Sequence, residues 1–182
     1  EFYHIYEIWS ISRILNSFLQ TNFELVSVRT DYFRSRSAKM YFVLQNKNTR
    51  ITLIWELKFR ALIDSTYYGT ILRNLEVREK SIEIKPDITI IVEGKGVKKV
   101  IIGDVKFSLN DSQSLQLPKL KDLYKVLSYV EDLKKSKLFD GFEIEGLLIY
   151  PGNISPIKIP DTKNENYINV IPLNMSTSIG EK

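Results

Sequence analysis

Two runs decide the fold: Lys85-Pro86-Asp87-Ile88-Thr89-Ile90-Ile91-Val92 and Val100-Ile101-Ile102-Gly103-Asp104-Val105-Lys106-Phe107. Both are apolar and rich in β-branched residues, and the Gly94-Lys95-Gly96 between them reads as a tight turn, so an antiparallel hairpin is expected. A turn from Gly94 to Val97 sets Glu93 opposite Lys98 and Asp87 opposite Asp104. Directly opposed residues have Cβ atoms roughly 4.5–5.5 Å apart. Two carboxylates at that spacing repel, and one should have a raised pKa unless positive charge lies between them. Lys106 stands two residues beyond Asp104 and so points to the same face. An acidic pair with a lysine costs stability on an apolar hairpin unless something compensates. Mg²⁺ (or Mn²⁺) is the natural compensation, because it takes a few carboxylate oxygens and keeps several waters. The register carries all of this, since a slip of one residue would put the aspartates on opposite faces.

Acid-x-Lys alone carries no information here, because it occurs six times: Glu56/Lys58, Glu83/Lys85, Glu93/Lys95, Asp104/Lys106, Asp132/Lys134 and Asp161/Lys163. Only Asp104/Lys106 follows an apolar strand that pairs back onto a Pro-Asp dipeptide. Glu56-Leu57-Lys58 is the serious decoy, also at a strand end but with no such partner upstream. The bland alternative for the whole constellation is a surface ion pair at a hairpin end.

Outward from the hairpin, Pro118 is expected as a first helical residue. Leu120, Leu123, Leu127, Val130 and Leu133 then repeat at helical spacing until Lys134-Lys135-Ser136-Lys137, with Gly141 beyond. Residues 146–150 and 167–173 read as strands, the first stopped by Pro151-Gly152. Upstream, residues 23–29, 38–45 and 50–59 read as strands, the last two joined by Gln45-Asn46-Lys47-Asn48. Residues 60–80 are ambiguous, with a break at Tyr67-Tyr68-Gly69 and Ile71 to Val77 readable as strand or short helix. Residues 3–20 are expected to form a mostly buried helix with Ile5, Ile8, Trp9, Ser12, Leu15 and Leu19 on one stripe, broadened by Ile11, Ile14 and Phe18. The fold class expected is α/β (α+β): a central mixed β-sheet flanked by helices, with an N-terminal helix and an extra β-hairpin. Residues 1–173 are expected to be one domain, a piece of a longer chain since no methionine opens the sequence, with the choice of boundaries an equal explanation, and 174–182 a flexible tail.

Composition narrows the chemistry. At 182 residues, 43% hydrophobic and 26% charged, the chain has an ordinary globular composition with enough apolar material for a core. No run approaches the ~18 apolar residues that span a bilayer, and Glu7 and Arg13 interrupt any signal-peptide core. The absence of cysteine excludes thiolate nucleophiles and Cys-based zinc sites. A single histidine, His4, excludes a two-histidine metal site and leaves a serine triad only if it is built at the chain's start. No phosphate-binding loop occurs, and Gly94-Lys95-Gly96 lacks the third glycine of a dinucleotide fingerprint. Carboxylates, lysines, hydroxyls and a hard metal ion are what remain. The +4 charge and pI near 9.1 permit a nucleic-acid partner without requiring one.

Pro86-Asp87, a hairpin and Asp104-Val105-Lys106 together resemble the PD-(D/E)XK nuclease superfamily. Tyr6-Glu7-Ile8-Trp9, Asp122-Leu123-Tyr124-Lys125-Val126-Leu127-Ser128-Tyr129 and Gly146-Leu147-Leu148-Ile149-Tyr150-Pro151 are similar to its McrC-like branch, the nuclease subunits of McrBC-type restriction systems. The match runs in order over most of residues 3–173 and is sharp only over Pro86–Lys106. The resemblance implies a restriction-endonuclease-like core and metal-dependent phosphodiester hydrolysis. Asp87 and Asp104 would then be metal ligands, Lys106 the catalytic lysine and Glu7 the acidic residue on the first helix that completes the site. Independently, Glu7 shares a largely apolar face with Ile11, Ile14 and Phe18; a first-turn glutamate favoured by the helix dipole is the alternative. The family often carries glutamine, in a Tyr-Gln type pair, where this chain has Lys125, which puts that glutamine's role in doubt.

Lys119, Lys121 and Lys125, with Arg34, Arg36 and Lys39, are candidate phosphate contacts, the alternative for each being a solvated surface. Tyr124 faces the site or the core, Trp9 and Trp55 are expected in the core, and His4, one turn before Glu7, is expected to be incidental, a hydrogen bond to Glu7 being the alternative. The function expected is a Mg²⁺- or Mn²⁺-dependent endonuclease acting on DNA, with RNA the other substrate class, in a restriction or other defence system of a prokaryotic cytoplasm. Its alternative is a catalytically idle nucleic-acid-binding or assembly module on the same fold. A third possibility, an unrelated α/β domain with a chance motif, predicts that Asp87 and Asp104 are far apart or face solvent. McrC-like subunits work with a nucleotide-hydrolysing motor subunit, so such a partner is expected, and two cuts in a duplex would favour a homodimer.

Overall fold

The computed structural model describes residues 2–29, 40–57, 85–107, 117–152, 155–160 and 166–173. The segment 60–80, the tail 174–182, Arg34, Arg36 and Lys39 lie outside the described residues. Among those described, the chain is a mixed α+β fold of two helices and one eight-stranded sheet. The elements are α1 (Phe2–Leu19), β1 (Glu24–Arg29), β2 (Met40–Gln45), β3 (Thr49–Trp55), β4 (Ile88–Gly94), β5 (Val97–Val105), α2 (Leu120–Lys134), β6 (Glu143–Tyr150), β7 (Ile157–Pro160) and β8 (Asn166–Pro172).

The strands lie in the order β1-β2-β3-β4-β5-β6-β8-β7. From β1 to β5 neighbours are antiparallel, and short turns join β2 to β3 and β4 to β5. Asn46 closes the β2–β3 turn by accepting from the Asn48 and Thr49 backbone N–H groups at 3.0 and 2.8 Å. β5, β6 and β8 run parallel, and α2 lies in the crossover between β5 and β6. The hairpin register is the one expected, with Glu93 opposite Lys98 and Ile88 opposite Gly103. Its loop is the dipeptide Lys95-Gly96, and Gly96 supplies the positive φ of 80°.

Period-two alternation gives the sheet two apolar faces. Leu44, Ile51, Leu53, Ile88, Ile90, Val105, Leu147 and Ile149 pack with Tyr6 and Ile11 of α1. Ile54, Val100, Ile102, Leu148, Tyr150 and Val170 pack with Val126, Tyr129, Val130 and Leu133 of α2. Asp104 therefore faces α2, alternating with Val105.

Two local expectations are corrected and one strand is added. α1 is not mostly buried: Phe2, Ile5, Ile8 and Leu19 are exposed, and the covered residues are Tyr6, Glu7, Ser10 and Ile11. The Glu7–Ile11–Ile14–Phe18 face turns inward rather than the Ile5–Ile8–Ser12–Leu19 stripe. Pro118 is not the first helical residue; α2 begins at Leu120, after an N-cap Lys119 in extended backbone (φ −68°, ψ 137°). The short strand β7 was not anticipated. Ile157-Lys158-Ile159 is flanked by prolines, which suit only an edge, and β7 is the sheet's outermost strand.

Candidate functional site

Asp87 precedes β4 by one residue and Asp104 is the penultimate residue of β5, so both sit where the hairpin's open end meets the end of β3. The backbone closes this corner: Glu56 N–H donates to the Asp87 carbonyl at 2.9 Å and Lys106 N–H to the Ile149 carbonyl at 2.8 Å. The two aspartates interlock. Val105 N–H donates to Asp87 Oδ2 at 2.9 Å, and Asp87 N–H reaches Asp104 Oδ1 at 3.4 Å. Both are buried, Asp87 to 8% exposure and Asp104 to 1%. The chance-motif expectation of separated or solvent-facing carboxylates does not describe this arrangement.

Lys106 bridges the pair, its Nζ lying 3.3 Å from Asp87 Oδ2 and 2.9 Å from Asp104 Oδ2. A second ammonium, Lys125 Nζ from α2, stands 2.7 Å from the same Asp104 Oδ2. Tyr3 OH donates to Asp87 Oδ2 at 3.1 Å, and its ring lies 5.7 Å from Lys106 Nζ. Burial, reinforced by the Asp104 charge, pushes the Asp87 carboxyl up to about 6. Burial opposes the Lys106 ammonium, but the charges of Asp104 and Asp87 outweigh it and hold its pKa above the ordinary lysine value. Lys106 is thus a fixed cation at neutral pH, suited to orienting a water or a phosphate rather than to accepting a proton. Burial, then the nearby carboxylates, likewise raises the hydroxyls of Tyr3 and Tyr129.

Glu7 is buried at 1% exposure and tightly held. Trp55 Nε1–H donates to its Oε1 at 2.7 Å, and His4 Nδ1 lies 3.3 Å from its Oε2. Its charge makes a minor contribution to the rise at Asp87. Its compact grouping, however, is with His4 and Glu56, whose ligand atoms and its own all lie within 4.8 Å of one another. This largely buried acidic and histidine cluster could hold a metal ion. Lys85 forms an ion pair with Glu56 there, and Glu56 adopts a left-handed backbone at φ 48°.

The structure therefore brings Asp87, Asp104, Lys106 and Lys125 together and sets Glu7 at the margin in a cluster of its own. The pair's chemistry fits a hard divalent cation: two buried oxygen donors whose mutual repulsion already draws two ammonium groups. Lys119 and Lys121 lie on the first turn of α2 or just before it, Lys121 exposed and Lys119 half-buried. Tyr124 is 62% exposed and so does not belong to the core. Trp9 and Trp55, expected in the core, are half-buried and pack against the core on the α1 side, and Trp55 also serves Glu7. Tyr3 and Glu56 were also missed. Tyr3 is four residues before Glu7 on one helix face, a signal that was present; Glu56 had been set aside as a decoy.

No protein-family model matches the chain, and no curated protein matches it. What the fold and site define is a class: a mixed α+β domain with a buried aspartate pair and two lysines at one end of its sheet. No helix among the described residues is long and apolar enough to cross a membrane.

Proposed function

We propose that this chain is a Mg²⁺- or Mn²⁺-dependent nuclease domain with a PD-(D/E)XK, restriction-endonuclease-like core, most like the McrC-like subunits, hydrolysing phosphodiester bonds of DNA in a restriction or defence system. The observation that carries the proposal is that one ammonium, Lys106, contacts Asp87 at 3.3 Å and Asp104 at 2.9 Å on a hairpin whose register sets these residues together. The mixed sheet with a helix on each face is compatible with that core.

Asp87 and Asp104 would hold the cation, with Glu7 acting from the margin. A bound divalent ion supplies charge neutralisation at the phosphoryl group and lowers the pKa of water. Lys106, kept charged by its carboxylates, orients the attacking water and stabilises negative charge at the phosphate. Tyr3 fixes the Asp87 carboxylate through its hydroxyl. Lys119 and Lys121 would meet the phosphate backbone, as a salt-dependent contribution to affinity. A nucleotide-hydrolysing motor subunit and a second copy of the chain are the partners this proposal carries with it.

The test is a cleavage panel with Mn²⁺ on duplex DNA, single-stranded DNA and RNA, run with wild type, Asp104→Ala and Lys106→Ala, all checked for folding by circular dichroism. Wild type is expected to cut duplex DNA, and each variant to lose activity by roughly 100-fold or more. Equal activity in folded variants would sink the proposal. One observation favours the idle module instead: two lysines already neutralise the two aspartates. A Mn²⁺ titration separates the two, since an idle module binds no Mn²⁺ that depends on Asp87.

A further inference from the structure

The aspartate pair is met by two ammonium groups that are held very differently. Lys106 is 16% exposed, touches both carboxylates and has the Tyr3 ring beside it. Lys125 reaches across from the second turn of α2, is 44% exposed and, among the described residues, has one carboxylate contact, to Asp104 Oδ2 at 2.7 Å. The Tyr129 ring, one turn further along α2, lies 5.5 Å from its Nζ. In this arrangement two negative charges face two positive ones, and the buried Asp104 is compensated, as a carboxylate out of water must be.

A divalent cation upsets that balance. Both ammonium groups already meet Asp104 Oδ2, and adding two positive charges beside them is strongly repulsive at contact distances. Release of one ammonium relieves that repulsion, and the structure distinguishes which is freer to go. Lys106 is enclosed and doubly tied; Lys125 has an open path to solvent along a flexible four-carbon stem. We propose that Lys125 is a displaceable counter-cation of Asp104, occupying the acidic pair while no metal is present and swinging into solvent when a divalent ion enters. It then competes directly with the metal for the site, and metal affinity is set partly by the strength of the Lys125–Asp104 pair. This rests on the nuclease proposal's assignment of Asp104 as a metal ligand.

The experiment is Mn²⁺ binding, followed by calorimetry and by loss of the free-Mn²⁺ electron paramagnetic resonance signal. It compares wild type, Lys125→Ala, Lys125→Gln, Lys121→Ala and Asp104→Asn. Lys125→Ala and Lys125→Gln are expected to bind Mn²⁺ on the order of tenfold more tightly than wild type, a coupling of ordinary size. Lys121→Ala removes the same charge from an exposed position on the same helix and should shift affinity less than about twofold, because solvent screens it. Asp104→Asn should abolish the binding. Unchanged or weaker binding in both Lys125 variants overturns the proposal, and so does an equal gain in Lys121→Ala. Binding that is lost in Asp104→Asn but indifferent to Lys125 defeats this inference and leaves the nuclease proposal standing. No binding in wild type or in either Lys125 variant defeats both.

Discussion

Asp87 is a carboxyl whose burial and whose neighbour, Asp104, both resist its ionisation, and the shift from 3.8 to about 6 has a defined consequence for stability. The folded state binds the Asp87 proton more tightly than the unfolded chain does. The associated stability is complete at pH values below the unfolded pKa and is lost as pH rises through the folded value near 6. Without metal, wild type should therefore lose on the order of 1 kcal/mol more stability than Asp87→Asn between about pH 5 and about pH 7.5. Urea unfolding of both proteins at the two pH values measures the difference; identical pH dependence would mean that Asp87 is not strained by its setting. Added Mn²⁺ should flatten the wild-type dependence, because a bound dication favours the ionised pair. At this scale Asp87, Asp104 and Lys106 were legible from alternation and register. The contact between Lys125 and Asp104 was not, because it depends on where a distant helix docks.

At the scale of elements, the junction of β5 with β6 positions Asp104, and Gly103 makes it possible. A Cβ at Gly103 would collide with the Leu147 carbonyl of the neighbouring strand, its register partner. Gly103→Ala should therefore push β5 and β6 apart next to the site, costing about 3 kcal/mol by overpacking. It should also weaken Mn²⁺ binding although no ligand is altered. Chemical denaturation and the same Mn²⁺ titration check the two halves of this prediction, and a wild-type denaturation midpoint would refute it. α1 shows the opposite limit on legibility. Its apolar residues lie on almost every side, so periodicity indicated a helix without choosing its buried face. The choice fell on the side holding Glu7 and Ser10, whose polar groups find partners in Trp55 and in the Tyr6 carbonyl.

Across the whole molecule, the sheet divides the hydrophobic interior into a layer under α1 and a layer under α2. Leu53 belongs to the first and Leu148 to the second, and both are fully buried. Leu53→Ala and Leu148→Ala should each cost about 2–5 kcal/mol. The double variant should equal the sum within about 0.5 kcal/mol, since the two cavities open on opposite sides of the sheet. A urea-denaturation double-mutant cycle would expose coupling between the layers as a larger departure. The first and last described elements are also joined at this scale: Tyr6 OH of α1 donates to the Leu173 carbonyl just after β8 at 2.8 Å.

The hairpin, its register and the common face of Asp87, Asp104 and Lys106 were determined by the sequence alone. All three follow from local rules: a two-residue turn sets antiparallel pairing, and strand periodicity sets the face of each side chain. The parallel placement of β6 and β8, the inward turn of the Glu7 face of α1, the grouping of Glu7 with His4 and Glu56, and the reach of Lys125 to Asp104 were decided by tertiary structure. Each joins residues separated by a crossover or by an intervening element, so its geometry comes from how helices and strands pack, which no local pattern encodes.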